Sequence, residues 1–391
     1  MSLRFVPGSQ IWQLVTVLSI SGEFAFRSVR LIGNERVFKE LLIPKLMQQQ
    51  EIRNVETGEM LKCQLLLVSG KGKDKTIRFH KSALPILKWL HPEAYDYYMK
   101  TFQNHKFSGD PKHYERNHRV AEAIVMCLRA GIEVRPYLLP RIQFETITQI
   151  GLKKTSMYMA KELKRAGEME FNKTIFTRMV GGIFSKEDCY VIYNTRNAVM
   201  KWNGGGEIKA CQSVTEIARM NIGVNDVYSA ILFGMSQNTA LKTIISSDSS
   251  LRKNENFDSI YRYIHFIPMN EEGIRHLRLF TVPNLKEELL DMLFEPETRS
   301  YNRGSFEYDA YIEGTYVYSY LDGDISRLIR FKAGVDYEKD RRKNCEVVCF
   351  SYQVNFLREY LGQDFRLKVL HMKVVEEDLG IEVIDLLQKQ N

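Results

Sequence analysis

Apolar positions recur at helical spacing near the start of the chain. Ile11, Leu14, Val15 and Leu18 share one face of a helix expected over 9–19, and Ser21-Gly22 breaks it. A second, short helix is expected over about 24–32, with Phe24, Phe26 and Val29 inward. Asn34 is placed to cap a third. Its stripe is Val37, Phe38, Leu41, Leu42 and Met47, and Arg36, Lys39 and Lys45 lie off that stripe. Pro44 predicts a kink in this helix or the first turn of a new segment. Two strands, 64–70 and 76–80, then flank a basic turn at 70–75, and a helix follows over 82–90. Three helices, a strand, a basic turn, a strand and a helix make the order of a winged helix-turn-helix, expected over 1–95.

Residues 96–112 are rich in aromatic, polar and breaker residues and are expected to connect this domain to a mixed α/β body over 113–391, with a division near 300 left open. The body opens with a long helix at about 112–130, ended by Gly131, and a strand at 132–140. A helix over 156–166 is expected next. Strands at 176–184, 188–195 and 197–202 follow, then helices at 212–221 and 225–232 and a strand at 262–267. An amphipathic helix covers 285–294. Strands at 308–320 and 326–332 read as a hairpin around Asp322-Gly323-Asp324. A strand at 345–350, a helix at 353–361 and a strand at 365–371 close the pattern. The fold class expected is α/β, α+β overall.

Composition narrows the classes. The chain has 391 residues, 44% of them hydrophobic and 26% charged, enough for two or three cored domains. No apolar run reaches the roughly 18 residues of a membrane span, and the first residues lack the apolar core of a signal peptide. The cysteines, Cys63, Cys127, Cys189, Cys211, Cys345 and Cys349, form no CxxC pair and suit structural thiols in a reducing, cytoplasmic setting. The net charge of +7 permits a polyanionic partner.

Charge distribution is more informative than its total. Lys71, Lys73, Lys75, Arg78 and Lys81 cluster on the basic turn and its second strand, where a projecting wing tracks phosphates. Arg36, Lys39 and Lys45 are where groove contacts would originate. The plainer reading is a solvated hairpin that serves a protein partner. Glu207-Ile208-Lys209, with Asp188 upstream, fits a nuclease site in which two carboxylates hold Mg²⁺ and the lysine helps activate water. ExK triplets also arise by chance in a charged chain. GGGE at 204–207 lacks the Lys-Ser/Thr of a phosphate loop and reads as a β-to-α turn. His113, Glu115 and His118 lack the i,i+4 histidine spacing of a helical metal site, and Asp322 and Asp324 read as turn residues. No metal site and no enzyme active site are expected.

The stretches SISGEFAFRSVRLIGNERVFKELL, VSGKGKDKTIRFHKSALPIL and ERNHRVAEAIVMCLRAGIEVRPYLLP resemble proteins borne by mobile elements of Gram-positive bacteria, the replication-relaxation family. TRMVGGIF, YVIYNTRNAVMKWNG and LDGDISRLIRF resemble the same group. The resemblance implies an N-terminal winged helix and a C-terminal α/β domain, tied to plasmid or conjugative-element DNA. It implies a degenerate restriction-endonuclease-like core. Where members carry Pro-Asp and an acidic pair, this chain has Gly181-Gly182 and Tyr193-Asn194. A duplex-DNA-binding accessory or initiator protein is therefore expected, with a second copy or element-encoded proteins as partners. The alternatives are the Mg²⁺ nuclease, a transcriptional regulator and a protein-interaction module.

Overall fold

The computed structural model describes residues 5–6, 8–54, 57–107, 111–142, 151–166, 179–200, 205–224, 227–248, 260–300, 306–337 and 339–388. It is an α/β structure of two compact units. The first unit comprises Met1–Pro140 and Ile384–Asn391, and the second comprises Arg141–Val383.

The first unit opens with α1 (Gln10–Ser21), whose cap Ser9 accepts from the Trp12 N–H at 3.3 Å. Gly22 ends it at φ 73°, and the Phe102 ring occupies the space where a Cβ would project. β1 (Glu23–Ala25) follows, then a 3-10 turn (Phe26–Leu31). The expected helix at 24–32 is thus part strand. Its Phe24 pairs with Ile77 of β5 (Thr76–Phe79), so tertiary hydrogen bonds outweigh the local pattern.

The third helical stretch spans 35–46, and the Asn34 side chain accepts from the Val37 N–H at 3.1 Å. It is π-helical over Val37–Leu42 and α-helical in α2 (Ile43–Leu46). Pro44 has no N–H for the Glu40 carbonyl, and the widened turn beside it is how the helix accommodates the ring. A hairpin that the apolar pattern did not predict comes next, β2 (Gln49–Arg53) and β3 (Met60–Gln64). Then β4 (Leu66–Ser69) and β5 flank the basic turn, and the sheet order is β1-β5-β4.

Beyond α3 (Leu84–Leu90), the expected connection at 96–112 contains most of a helix, α4 (Pro92–Thr101). α5 (Pro111–Arg129) also belongs to the first unit rather than opening the second. Buried polar bonds tie it there. His118 meets the Thr76 hydroxyl at 2.9 Å, Ser28 donates to Glu122, and Arg129 donates to the Leu31 carbonyl at 3.0 Å. Residues 134–140 form no strand. Glu133 accepts from the Val134 and Arg135 N–H groups and pairs with the Arg135 guanidinium, and these local bonds replace a ladder.

The second unit holds two sheets. The first contains β6 (Ser156–Met159), β7 (Met179–Phe184), β8 (Cys189–Arg196), β9 (Ser229–Gly234) and β10 (Tyr263–Pro268), in the order β10-β9-β8-β7-β6. α6 (Ala160–Ala166) precedes β7, and α7 (Gly205–Asn221) and α8 (Gln237–Asp248) cross between the parallel strands β8, β9 and β10. α9 (Glu271–Leu279) and α10 (Leu285–Leu293) lead to the second sheet. That sheet contains β11 (Ala310–Ile312), β12 (Thr315–Ser319), β13 (Cys345–Phe350) and β14 (Arg366–Leu370). α11 (Ile325–Tyr337) and α12 (Val354–Leu361) cross between its parallel strands, and α13 (Met372–Asp378) follows.

Several expectations change here. The segment 156–166 starts as strand, Ser156–Met159, because β6 pairs with β7. Residues 197–200 form no strand, since Arg196 adopts φ 55° and turns the chain out of the sheet. The remaining expected strand residues, 176–178 and 201–202, lie outside the described residues, as do Gly204 and 225–226. The expected helix at 225–232 gives way to β9. Its run Ala230-Ile231-Leu232-Phe233 is buried throughout, and so short an apolar run does not distinguish strand from helix. Residues 326–332 are helical, because Asp324 accepts from the Ser326 N–H at 2.9 Å and starts α11. The hairpin turns instead at Glu313-Gly314, both at positive φ.

Candidate nucleic-acid interface

The β4–β5 turn closes over Gly70, at φ 80°, where a Cβ would lie 2.5 Å from the Asp74 carbonyl oxygen. A 3-10 turn, Gly72–Asp74, follows, and Lys71, Lys73 and Lys75 are all exposed. Lys81, just past β5, is exposed too. None of these four lysines forms an ion pair with a described residue.

The third helical stretch is more self-neutralised. Arg36 pairs with Glu40 at 2.9 Å, and Lys39 pairs with Glu35. Lys45 is exposed. Arg78 departs most from expectation. Its side chain is 13% exposed and lies 3.6 Å from the buried Glu23 carboxylate. It donates to Ser69 at 3.0 Å and lies over the Phe107 ring at 5.1 Å. Its work is to hold β5 to its neighbours, because its position on the strand directs it inward. Burial pushes the Glu23 carboxyl up, against the downward pull of Asn117 and Arg78.

Phe26 was expected inward, but it is half-buried. The Lys75 ammonium lies 4.8 Å from its ring centroid and that of Lys39 lies 5.6 Å away. The Phe26 N–H also donates to the Lys75 carbonyl at 2.9 Å. The start of the 3-10 turn, the third helical stretch and the basic turn thus meet at one ring. Arg27 and Arg30 are exposed on the same 3-10 turn, and Arg27 reaches Glu115 at 3.3 Å. Periodicity could not reveal this group, since its members come from three separated segments.

In the second unit no hydrogen bond or ion pair joins Asp188, Glu207 and Lys209. Asp188 stands in the turn before β8 and accepts from the Asn284 N–H at 2.9 Å, and burial pushes its carboxyl up. Glu207 is buried in the first turn of α7, beside Tyr193 and Tyr261. Lys209 is exposed. At the positions singled out by the resemblance, Gly181 leaves no room for a side chain, since a Cβ would lie 2.4 Å from the Tyr158 carbonyl oxygen. Asn194 is fully buried and accepts from the Arg196 N–H at 3.1 Å.

His118 of the histidine-bearing helix is spent on Thr76, and Glu115 on Arg27 and Arg119. Among the described residues no group of three or more His, Cys, Asp or Glu side chains is placed to hold a metal ion. Asp322 and Asp324 are buried where β10 meets the β12–α11 turn. His265 bonds the Asp322 carbonyl at 3.0 Å, and Asp324 also accepts from the Ile264 N–H at 3.0 Å. They knit the two sheets of this unit together.

The fold defines an α/β protein of two units, the first bearing an exposed lysine turn. No helix among the described residues is long and apolar enough to cross a membrane. No family model, curated protein or solved structure matches the chain.

Proposed function

We propose that the first unit is a winged-helix module that binds duplex DNA. On this reading the protein is a non-catalytic accessory or initiator protein of a plasmid or conjugative element, acting in the cytoplasm. The observation that carries the DNA-binding reading is the set of exposed lysines, Lys71, Lys73, Lys75 and Lys81, without acidic partners among the described residues. The order helix, strand, 3-10 turn, helix, and a β4–β5 hairpin with β1 as its third strand supports it. Cations that are already solvated and unpaired release counterions from phosphates at no cost in broken ion pairs. The paired Arg36 and Lys39 must first leave Glu40 and Glu35. Affinity therefore rests more on the wing than on the third helical stretch. The assignment to mobile-element DNA rests on the sequence resemblance.

Titration of the whole chain on duplex DNA at several salt concentrations, with Mg²⁺ present, tests the proposal. Salt-sensitive binding of intact duplex is expected. The combined change K71A/K73A/K75A should weaken binding to every sequence and flatten the salt dependence by about 0.9 per lost phosphate contact. No binding of the wild-type chain at physiological salt rejects the reading. Nicked product that disappears in E207A establishes the nuclease alternative instead.

A further inference from the structure

We infer that Phe26 is a positioning residue for DNA binding: its ring holds Lys39 and Lys75 together as one phosphate-binding pair. This rests on reading the first unit as a duplex-binding module. Lysine is a compact point charge on a flexible stem, so an unsupported lysine loses much rotamer freedom when it engages a phosphate. A ring face that already restrains the ammonium lowers that loss before binding. Phe26 acts on Lys75 twice, through its ring at 4.8 Å and through its N–H to the Lys75 carbonyl at 2.9 Å. The same ring carries Lys39 at 5.6 Å, and Lys39 exchanges its Glu35 partner for the phosphate while it stays over the ring. Lys39 comes from the third helical stretch and Lys75 from the end of the turn, so the ring sets the spacing between the two DNA-facing elements.

Phe26 is only half-buried, whereas Phe24, two residues earlier, is fully buried. Packing is the work of Phe24, and Phe26 keeps ring surface for the ammonium groups. The recognised chemistry is the phosphodiester backbone of a duplex. Ammonium groups carry no fork for base edges, and contacts of this kind fix position without reading sequence.

The test compares the full chain with F26L, F26W, K39A/K75A and F26L/K39A/K75A on one duplex across a salt series. F26L keeps apolar bulk without a π face, and F26W keeps a π face at a different volume. F26L should bind several-fold more weakly, with a salt slope reduced by one to two. F26W should retain wild-type affinity and slope. In the K39A/K75A background, F26L should have no further effect. Wild-type behaviour of F26L, equal losses in F26L and F26W, or an undiminished F26L effect without the two lysines would each overturn the inference while duplex binding by the wild type stands. Absence of binding by the wild type overturns the underlying reading as well.

Discussion

His276 shows how one buried side chain sets a pH limit. Its Nε2–H donates to the Leu321 carbonyl at 2.8 Å, and its Nδ1 accepts from the Tyr352 hydroxyl. Full burial penalises the imidazolium and lowers its pKa to about 4, against the upward pull of Asp322 and the Leu321 carbonyl. The native state therefore binds this proton less well than the unfolded chain. Its contribution is complete above the unfolded value near 6.5 and is lost as pH falls through that value toward about 4. The loss over that window is about 3 kcal/mol. Denaturant titrations of the second unit at pH 7.5 and pH 4.5 should show it, and H276Q should flatten the difference. An unchanged pH dependence in H276Q would mean that other groups set the limit.

At the scale of elements, one ionic knot joins three of them. Asp309, just before β11, accepts from Arg327 of α11 at 2.6 Å, from Lys286 of α10 at 3.0 Å and from the Ser319 N–H of β12 at 2.7 Å. Burial would raise the Asp309 carboxyl, but Arg327 and Lys286 hold it below its ordinary value. Asp309 and Arg327 are both nearly inaccessible, and each keeps one further partner, Lys286 for Asp309 and Glu307 for Arg327, so removing one leaves the other buried with half of its ionic compensation. D309N should lower the unfolding free energy, measured by chemical denaturation, by less than the roughly 3–5 kcal/mol of a fully stranded buried charge, since Glu307 still faces Arg327. The double change D309M/R327L should cost less, since it removes both inaccessible charges and leaves only Lys286, which is part-exposed, and Glu307, which keeps Arg330. Equal losses in both variants would show that the knot acts through shape alone.

Long or punctuated elements were legible in the sequence. The Asn34 cap, the Gly70 turn and the strands at 345–350 and 365–371 all announce themselves by local chemistry. Short apolar runs did not. β1, β6 and β9 read as helices because they are strands only by virtue of their partners in the sheet. The basic turn was legible as a lysine cluster. The role of Arg78 was not, because its acidic partner Glu23 is remote in sequence.

Across the whole molecule, the chain leaves the first unit at Pro140 and returns to it at Ile384. The returning segment is tied in. Leu386 N–H donates to the Leu128 carbonyl at 2.9 Å, Arg129 meets Asp385 at 3.3 Å, and Leu386 and Leu387 are buried. A chain ending at Val383 should lose the burial of two leucines, about 3–6 kcal/mol from the first unit. Scanning calorimetry or hydrogen exchange at α5 would detect it. A peptide spanning 384–391, added in trans, should restore part of the loss. Unaltered exchange at α5 in the truncated chain would show that the segment only rests on the unit.

The sequence by itself determined the α/β class, the lysine-bearing turn between two strands and the positions of the strongest caps and breaks. These depend on neighbours within a turn or two, where spacing and backbone preference act. Tertiary structure alone decided where the units divide, which cations remain without ion pairs and that Lys39 and Lys75 both lie over the Phe26 ring. It also gave Asp188 the Asn284 N–H and buried Glu207 in α7. Those outcomes depend on residues far apart in the chain, and no local periodicity encodes which distant groups burial brings into contact.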